Sequence, residues 1–171
     1  MGDFSIYALH KILPTPSGGM LKVNNLKFEA VTKNIEQDNN LAALKSYVLA
    51  DLSVVENIRR SNYLLLADKI CKLEGISLLY PTLPGSVVPH NLPFLVEDGL
   101  REKLYFRLIE RGIPVVSLYY RLIPSLGKTS YPDAHYLSDN MLNLPVHQEI
   151  TNDDVFTIAK ELEGALLDVR S

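Results

Sequence analysis

The fold is decided by the stretch ISLLYPTLPGSVVPHNLPFLVEDGLREKLYFRLIERGIPVVSLY, residues 76–119, in which short β-prone runs alternate with a helical pattern. Leu100, Leu104 and Leu108 recur every four residues and predict the inner stripe of a helix, for which Asp98 is the expected N-cap. The β-prone runs around this helix are the predicted strands Ile76–Tyr80, Leu92–Val96 and Ile113–Tyr119. Strands that alternate with helices favour a compact α/β fold, an α+β sandwich.

Helical and strand patterns continue on both sides of this stretch. Apolar residues spaced three and four apart over residues 35–73 predict one long helix or two consecutive helices, with Gly75 as the stop. Residues 121–133 contain two prolines and a glycine and are expected to be irregular. Met141–Val146 is the last predicted strand, and Thr151 is expected to cap the final helix. The inner stripe of that helix is predicted to consist of Val155, Ile158, Ala159 and Leu162.

The first residues show a different organisation. Alternating side chains predict a strand over Asp3–Leu9, and Met20–Val23 is predicted to be the next strand. The segment 11–19 between them holds two prolines and two glycines, which mark a loop.

Composition and charge restrict the class of protein. Hydrophobic residues make up 47% of the 171 residues, enough to bury a core, and the formal net charge is −3. No basic stripe is present that could neutralise a phosphate backbone, so we expect no nucleic-acid partner. No apolar stretch is long enough to span a bilayer, and the first residues do not resemble a signal peptide. We therefore expect a cytoplasmic protein that has no membrane partner.

Cysteine and histidine suggest no metal chemistry. Cys71 is the only cysteine, and its place in an apolar helical pattern predicts a small buried hydrophobic residue. A chain without disulfides fits a reducing cytoplasm. The four histidines are scattered without the paired spacing of zinc ligands, so no metal site is expected.

Lys11 is the candidate catalytic residue. A lysine at the start of a loop rich in proline and glycine is in most proteins a solvated surface charge. The alternative is an amine that attacks a carbonyl group, which requires the lysine to be held at a strand end or a tight turn. Gly18 and Gly19 would let the backbone return close to such a site without a side-chain clash.

Three segments, in the right order, resemble one known family. The stretch SIYALHKILPTPSGGM, residues 5–20, is similar to the segment around the pyridoxal-phosphate (PLP) lysine of the DegT/DnrJ/StrS aminotransferases. Residues 101–114 resemble the helix of that family that ends in Arg-Gly-Ile. Residues 137–155, LSDNMLNLPVHQEITNDDV, are similar to its C-terminal signature, in which a Leu-Pro-Leu-His strand precedes the last helix.

The resemblance implies specific roles and a specific fold. It implies that Lys11 is the Schiff-base lysine, which acts as a general base once the cofactor has moved to the substrate, and that Ser5 contacts the cofactor phosphate. It also implies a fold-type I PLP-dependent transferase, of which residues 1–38 are a remnant of the large PLP-binding domain. The two predicted strands of this remnant would lie in a large parallel sheet whose other strands are outside this sequence. Residues 39–171 would then be the small C-terminal α/β domain with its linking helix. Because dimerisation completes the site in this family, a homo-oligomer acting on a small-molecule substrate is expected.

The family also has a half that this sequence does not contain. About half of its chain precedes the lysine, and supplies the carboxylate at the pyridine nitrogen, the stacked aromatic ring and the phosphate-binding helix. We therefore expect this sequence to be the C-terminal portion of an aminotransferase that acts on a nucleotide-linked keto-sugar. The N-terminal half would be missing because of truncation, a misread start or gene splitting. Without an N-terminal half, this portion should be inactive. The alternative is a non-catalytic binding or assembly module derived from such an enzyme.

Overall fold

The chain forms two compact units, residues 1–55 and 56–171. The structure is a computed structural model that describes residues 2–11, 19–32, 45 and 48–171. The boundary predicted between residues 38 and 39 lies outside the described residues, so that division of the chain stays a prediction.

The first unit is built around a β-hairpin. Its described elements are β1 (Phe4–Ala8), a 3-10 turn (Leu9–Lys11), β2 (Gly19–Val23), a second 3-10 turn (Leu26–Phe28) and the short helix α1 (Glu29–Thr32). Strands β1 and β2 are antiparallel, with Phe4 opposite Val23 and Ala8 opposite Gly19. The expectation of parallel strands is wrong for this pair, because the connecting segment is short enough to reverse the chain and too short for a parallel crossover.

The second unit combines four helices with one sheet. Its elements in chain order are α2 (Leu52–Ile70), β3 (Ile76–Leu78), β4 (Asn91–Val96), α3 (Arg101–Glu110), α4 (Pro132–Asn140), β5 (Met141–Pro145) and α5 (Asn152–Arg170). The sheet order is β3-β4-β5, and both strand pairs are antiparallel. The prediction of a mixed helix-and-sheet fold is confirmed.

One hydrophobic core holds the second unit together. In the central strand β4, alternate side chains are buried, since one face of the sheet is covered by helices. The predicted inner stripe of α3 is buried at Leu104 and Leu108, and that of α5 at Val155, Ile158 and Leu162. These side chains all belong to the same cluster as the covered face of the sheet. Both helices therefore pack on the covered face of the sheet.

Helices α3 and α5 are also joined by ion pairs. Arg107 and Arg111 each approach Asp168 at 2.7 Å, and Arg111 reaches Glu161 at 2.5 Å. Hydrogen bonds from Arg111 and then Arg107 hold the pKa of the Asp168 carboxyl below its ordinary value. Because these groups are partly exposed, each pair adds little stability by itself.

The third predicted strand is the clearest error in the second unit. Over residues 113–119 the only pairing is an isolated antiparallel bridge between Val116 and Asn143. Pro114 has no N–H to donate to a ladder, and Tyr119 adopts a positive φ of 56°, which ends the extended run. Residues 121–133 were predicted to be irregular, and helix α4, which begins at Pro132, was not predicted. A proline in the first turn is nevertheless typical of a helix start.

Two further residues differ from expectation. Asp98 is not a helix cap: its φ is 60°, and Leu100, which precedes α3, makes no side-chain capping bond. Cys71 is not buried. It lies just after α2, is exposed, and its thiol donates to the carbonyl of Asp68 at 3.4 Å.

Helix α2 begins at an acidic cap. The carboxylate of Asp51 accepts hydrogen bonds from the backbone N–H and the hydroxyl of Ser53, at 3.0 and 2.6 Å. Most of the residues before Asp51 that the helical pattern includes lie outside the described chain. The helix ends at Ile70, and Gly75 follows it with a φ of 76°.

Candidate functional site

Lys11 lies at a strand end, as predicted. The 3-10 turn Leu9–Lys11 follows β1 directly, and Lys11 is its last residue. Its side chain is exposed, so a small molecule can reach the amine from solvent. A lysine fixed by a short turn after a strand has less backbone freedom than one within a long loop, which favours a defined position for the amine.

The returning strand comes very close to the strand that precedes Lys11. A Cβ atom added to Gly19 would lie 3.1 Å from the carbonyl oxygen of Tyr7, which is tighter than almost all real Cβ contacts. Glycine therefore lets β2 begin opposite Ala8 without displacing β1. This agrees with the role predicted for Gly19, whereas Gly18 lies outside the described residues.

Ser5 lies near the opposite end of the hairpin from Lys11. It is paired with Lys22, and Ala8 lies three positions further along the strand, about 10 Å away. Its hydroxyl oxygen accepts a 2.8 Å hydrogen bond from the side-chain amide of Asn24. The structure thus does not group Ser5 with Lys11 in one turn, and Ser5 keeps its own hydroxyl hydrogen for a further acceptor.

Asn24 is the hydrogen-bond partner of Ser5, and the sequence did not predict this contact. Besides Ser5, its amide donates to the carbonyl of Gly2 at 2.9 Å, and its backbone N–H donates to Asp3 at 2.8 Å. These bonds close the open end of the hairpin. The sequence signal was only the Asn24-Asn25 pair, which predicts a turn after β2 but no long-range contact.

The hairpin exposes apolar side chains on both of its faces. Ile6 and Leu21 are opposite each other on one face, and Tyr7 and Met20 are opposite each other on the other. All four are exposed, Ile6 by 83%. A two-stranded hairpin is marginally stable by itself, and these side chains leave apolar surface on both of its faces.

The second unit contains an apolar cavity beside helix α2. It has a volume of about 370 Å³ and lies between α2 and residues 80–93. The hydroxyl of Tyr63 donates to the carbonyl of Tyr80 at 2.6 Å, and Arg60 donates to the carbonyl of Pro84 at 2.7 Å, so this wall is fixed to the helix. Burial, and secondarily Tyr80, raises the pKa of Tyr63. The lining holds no lysine, cysteine or carboxylate, and so provides no amine for PLP.

The described part of the chain contains neither a cluster of metal ligands nor a membrane-spanning helix. No three His, Cys, Asp or Glu side chains in residues 2–11, 19–32, 45 and 48–171 could hold a metal ion together. Across the same residues, no helix is both long and apolar enough to cross a membrane.

The chain is similar in structure to several solved aminotransferases. The chain is similar to the aminotransferase TlmJ from Streptoalloteichus hindustanus, with a TM-score of 0.81 and 22% identity, over 99% of this chain and 54% of TlmJ. It is also similar to PseC from Helicobacter pylori, an aminotransferase involved in pseudoaminic acid biosynthesis, with a TM-score of 0.76 and 15% identity, over 98% of this chain and 54% of PseC. A third likeness is to a Streptococcus pneumoniae protein described as a sugar aminotransferase, in its PLP form, with a TM-score of 0.74 and 17% identity, over 98% of this chain and 53% of that one.

These likenesses define the class: the chain has the fold of aminotransferases, of which it spans about half the length. A model of the DegT/DnrJ/EryC1/StrS aminotransferase family matches residues 11–163. The chain therefore belongs to the DegT/DnrJ/EryC1/StrS aminotransferase family, and the resemblance noted in its sequence is confirmed. No protein with a curated description matches it.

Proposed function

We propose that the chain supplies the PLP-attaching lysine, Lys11, and the small C-terminal domain of an aminotransferase that acts on a nucleotide-linked keto-sugar. The observation that carries this proposal is the position of Lys11, exposed at the end of the short turn that follows β1, three residues after Ala8, which is paired with Gly19. Family membership over residues 11–163 supports it, because the match begins at this lysine.

The residues present fit PLP in part. PLP, when bound, acts as the electron sink that stabilises negative charge at the substrate carbon. Lys11 provides the primary amine that holds the cofactor covalently and, once released, accepts and returns a proton. The Ser5 hydroxyl can donate to a phosphate oxygen while its own oxygen accepts from Asn24.

The rest of the site must come from other polypeptide. The apolar side chains on both hairpin faces, and the double length of the similar structures, support an N-terminal half that covers this hairpin. In this proposal residues 1–38 belong to the large domain, residues 39–171 form the small domain, and a second copy completes the site. The chain alone is then inactive, because in the family the carboxylate that keeps the cofactor ring protonated belongs to the N-terminal half.

To test the proposal, the chain is expressed together with any in-frame coding sequence directly upstream of Met1, as one fused protein. This protein is incubated with PLP, reduced with borohydride and mapped by mass spectrometry. The adduct is expected on Lys11 and not on Lys22, which is also exposed, lies in β2 of the same hairpin and is therefore the matched control. Lys11→Ala should abolish the adduct and leave the thermal unfolding temperature unchanged, because an exposed turn lysine contributes little packing.

Two outcomes would overturn the proposal. One is an adduct on Lys22 or Lys128 that persists in Lys11→Ala. The other is the absence of any coding sequence upstream together with no labelling of Lys11 in the chain alone. The second outcome would support a non-catalytic binding or assembly module instead.

A further inference from the structure

The apolar cavity beside α2 is bounded by a loop that the helix holds through its backbone. Arg60 donates hydrogen bonds to the carbonyl of Pro84, at 2.7 Å, and to the carbonyl of Val87. Its neighbour Arg59 donates to the carbonyl of Pro89 at 3.2 Å. The distance between this loop, which joins β3 to β4, and the helix is therefore set by two long arginine side chains.

The wall of the cavity is rigid. Pro84, Pro89 and Pro93 line it, and each has a fixed φ and no N–H. The ring of Tyr63 is only 2% exposed, and its hydroxyl bond to the carbonyl of Tyr80 holds it in place, so it does not turn to fill the space. A preformed concave site needs little reorganisation when a ligand enters it.

Apolar side chains that line the cavity remain partly in contact with water. Val87 and Val88 are 41% and 43% exposed, and Tyr80 is 59% exposed. Removal of apolar surface from water is favourable. A molecule seated in the cavity would therefore be stabilised by covering these side chains.

The lining determines which ligand fits. Among the described residues, those that line the cavity include no lysine, arginine, aspartate or glutamate, so a charged group would lose water without gaining an ion-pair partner. At about 30 Å³ per water molecule, a volume of about 370 Å³ corresponds to roughly a dozen heavy atoms. A peptide helix is too large, because a single turn of a cylinder about 10–12 Å across exceeds this volume.

We propose that this cavity is a binding site for a small neutral aromatic molecule, separate from the site of Lys11. Tyrosine and proline rings form flat apolar walls that suit an aromatic ring, and Thr82 and Asn91 in the lining supply partners for one polar group. PLP and a nucleotide-linked sugar both carry phosphate, for which the lining has no cation. The inference therefore goes beyond the proposed function and does not depend on it.

The first test titrates the full chain with indole, a neutral aromatic molecule with one N–H donor, and follows the backbone amide shifts by NMR. The shifts should cluster in residues 80–93 and around Tyr63, with a dissociation constant of about 1 mM or below. Indole-3-acetate, which adds a carboxylate to the same ring, should bind roughly tenfold more weakly or worse. An absence of clustered shifts, or equal binding of the two probes, would overturn the proposal.

The second test fills the cavity. Val88→Trp should abolish indole binding because the larger side chain occupies the space. Val54→Trp is the matched control, since Val54 is 50% exposed on α2 and does not line the cavity, and it should bind indole as the wild type does. Both variants should unfold at the wild-type temperature, because both valines are exposed. Indole binding that survives Val88→Trp would place the ligand elsewhere and contradict the proposal.

The third test removes the attachment of the loop. Arg60→Met deletes two hydrogen bonds to the loop but no residue of the lining, and should weaken indole binding by roughly tenfold. Arg60→Lys, which still donates, should recover part of that loss. Unchanged binding in Arg60→Met would show that the helix does not keep the cavity in its binding shape.

The alternative occupant is a second copy of the chain. Sedimentation over a range of protein concentrations tests for it, with the two tryptophan variants for comparison. Self-association that is lost in Val88→Trp and kept in Val54→Trp, together with no indole binding, would make this face a contact between copies and refute the small-molecule site.

Discussion

At the scale of single residues, Gly75 and Gly99 share a left-handed backbone but differ in their neighbours. Their φ values are 76° and 67°. A Cβ at Gly75 would overlap the guanidinium of Arg170, whereas a Cβ at Gly99 would meet no atom within 4 Å. Arg170 approaches the carboxylates of Glu74 and Asp98 at 3.8 and 3.9 Å. Gly75 therefore allows the end of α5 to lie against the turn that precedes β3.

The two glycines give a matched pair of substitutions. Gly99→Ala should cost about 1–2 kcal/mol, the strain of an alanine in this conformation. Gly75→Ala should cost the same plus up to about 1 kcal/mol, because Arg170 must leave two weak, exposed ion pairs. Urea denaturation of both variants measures the difference. If Gly75→Ala is no worse than Gly99→Ala, Arg170 contributes nothing to the closure of this turn.

At the scale of elements, α5 begins with a reciprocal cap. The hydroxyl oxygen of Thr151 accepts from the backbone N–H of Asp154 at 3.2 Å, and the carboxylate of Asp154 accepts from the backbone N–H of Thr151 at 2.9 Å. The Thr151 hydroxyl also donates to this carboxylate. Hydrogen bonds from the Thr151 side chain, and then its backbone, lower the pKa of Asp154 below its ordinary 3.8. The sequence predicted Thr151 as the cap but did not predict the reciprocal bond to Asp154.

The lowered pKa gives the cap a pH dependence with a definite sign. The folded state favours the charged carboxylate, so Asp154 stabilises the protein above its unfolded pKa, and this contribution is lost as pH falls through its folded pKa. Asp154→Asn should therefore be less stable than wild type near about pH 7, and the gap should close near about pH 2. Asp153→Asn removes a charge from the same turn without the reciprocal bonds and should show a smaller gap. Thermal unfolding across pH checks this, and equal curves for the two variants would contradict it.

The cap itself can be tested by truncating the threonine. Thr151→Ala should lower the free energy of unfolding by about 1 kcal/mol, because one N–H of the first turn loses its acceptor. Most of that loss should be recovered in Thr151→Ser, which keeps the hydroxyl. A silent Thr151→Ala would mean that the packing of α5 against the core determines where this helix begins.

At the scale of the whole molecule, the second unit has its own core and its own sheet. All of its buried hydrophobic residues belong to one cluster, and among the described residues that cluster contains none before Tyr63. We expect residues 51–171, which keep the Asp51 cap of α2, to fold cooperatively as a separate fragment. Within it, Leu104→Ala should cost about 2–5 kcal/mol, because Leu104 is fully buried.

The control for this prediction lies in the same helix. Phe106→Ala removes a larger side chain that is 56% exposed, and should cost far less than Leu104→Ala. Chemical denaturation of the fragment and its two variants decides the matter. A fragment without a cooperative transition would show that the unit depends on residues before 51. A silent Leu104→Ala would show that α3 packs through another face.

Local patterns alone determined much of this protein. The spacing of Leu104 and Leu108 predicts the buried face of α3 because the helical period depends only on neighbouring residues. The position of Lys11 after a strand follows in the same way from local turn chemistry, and the order of motifs identified the family. These features are encoded within a few residues of each other, so they can be read without knowing the fold.

The tertiary structure decided what depends on residues far apart in the chain. Strand pairing made β3, β4 and β5 antiparallel and left Val116 with a single bridge to Asn143. A contact with Ser138, nineteen positions away, holds Tyr119 in a conformation that its own side chain disfavours. Asn24 reaches Ser5 in the same manner. Local propensity cannot predict such contacts, because the free energy that maintains them arises only when the distant partner is already in place.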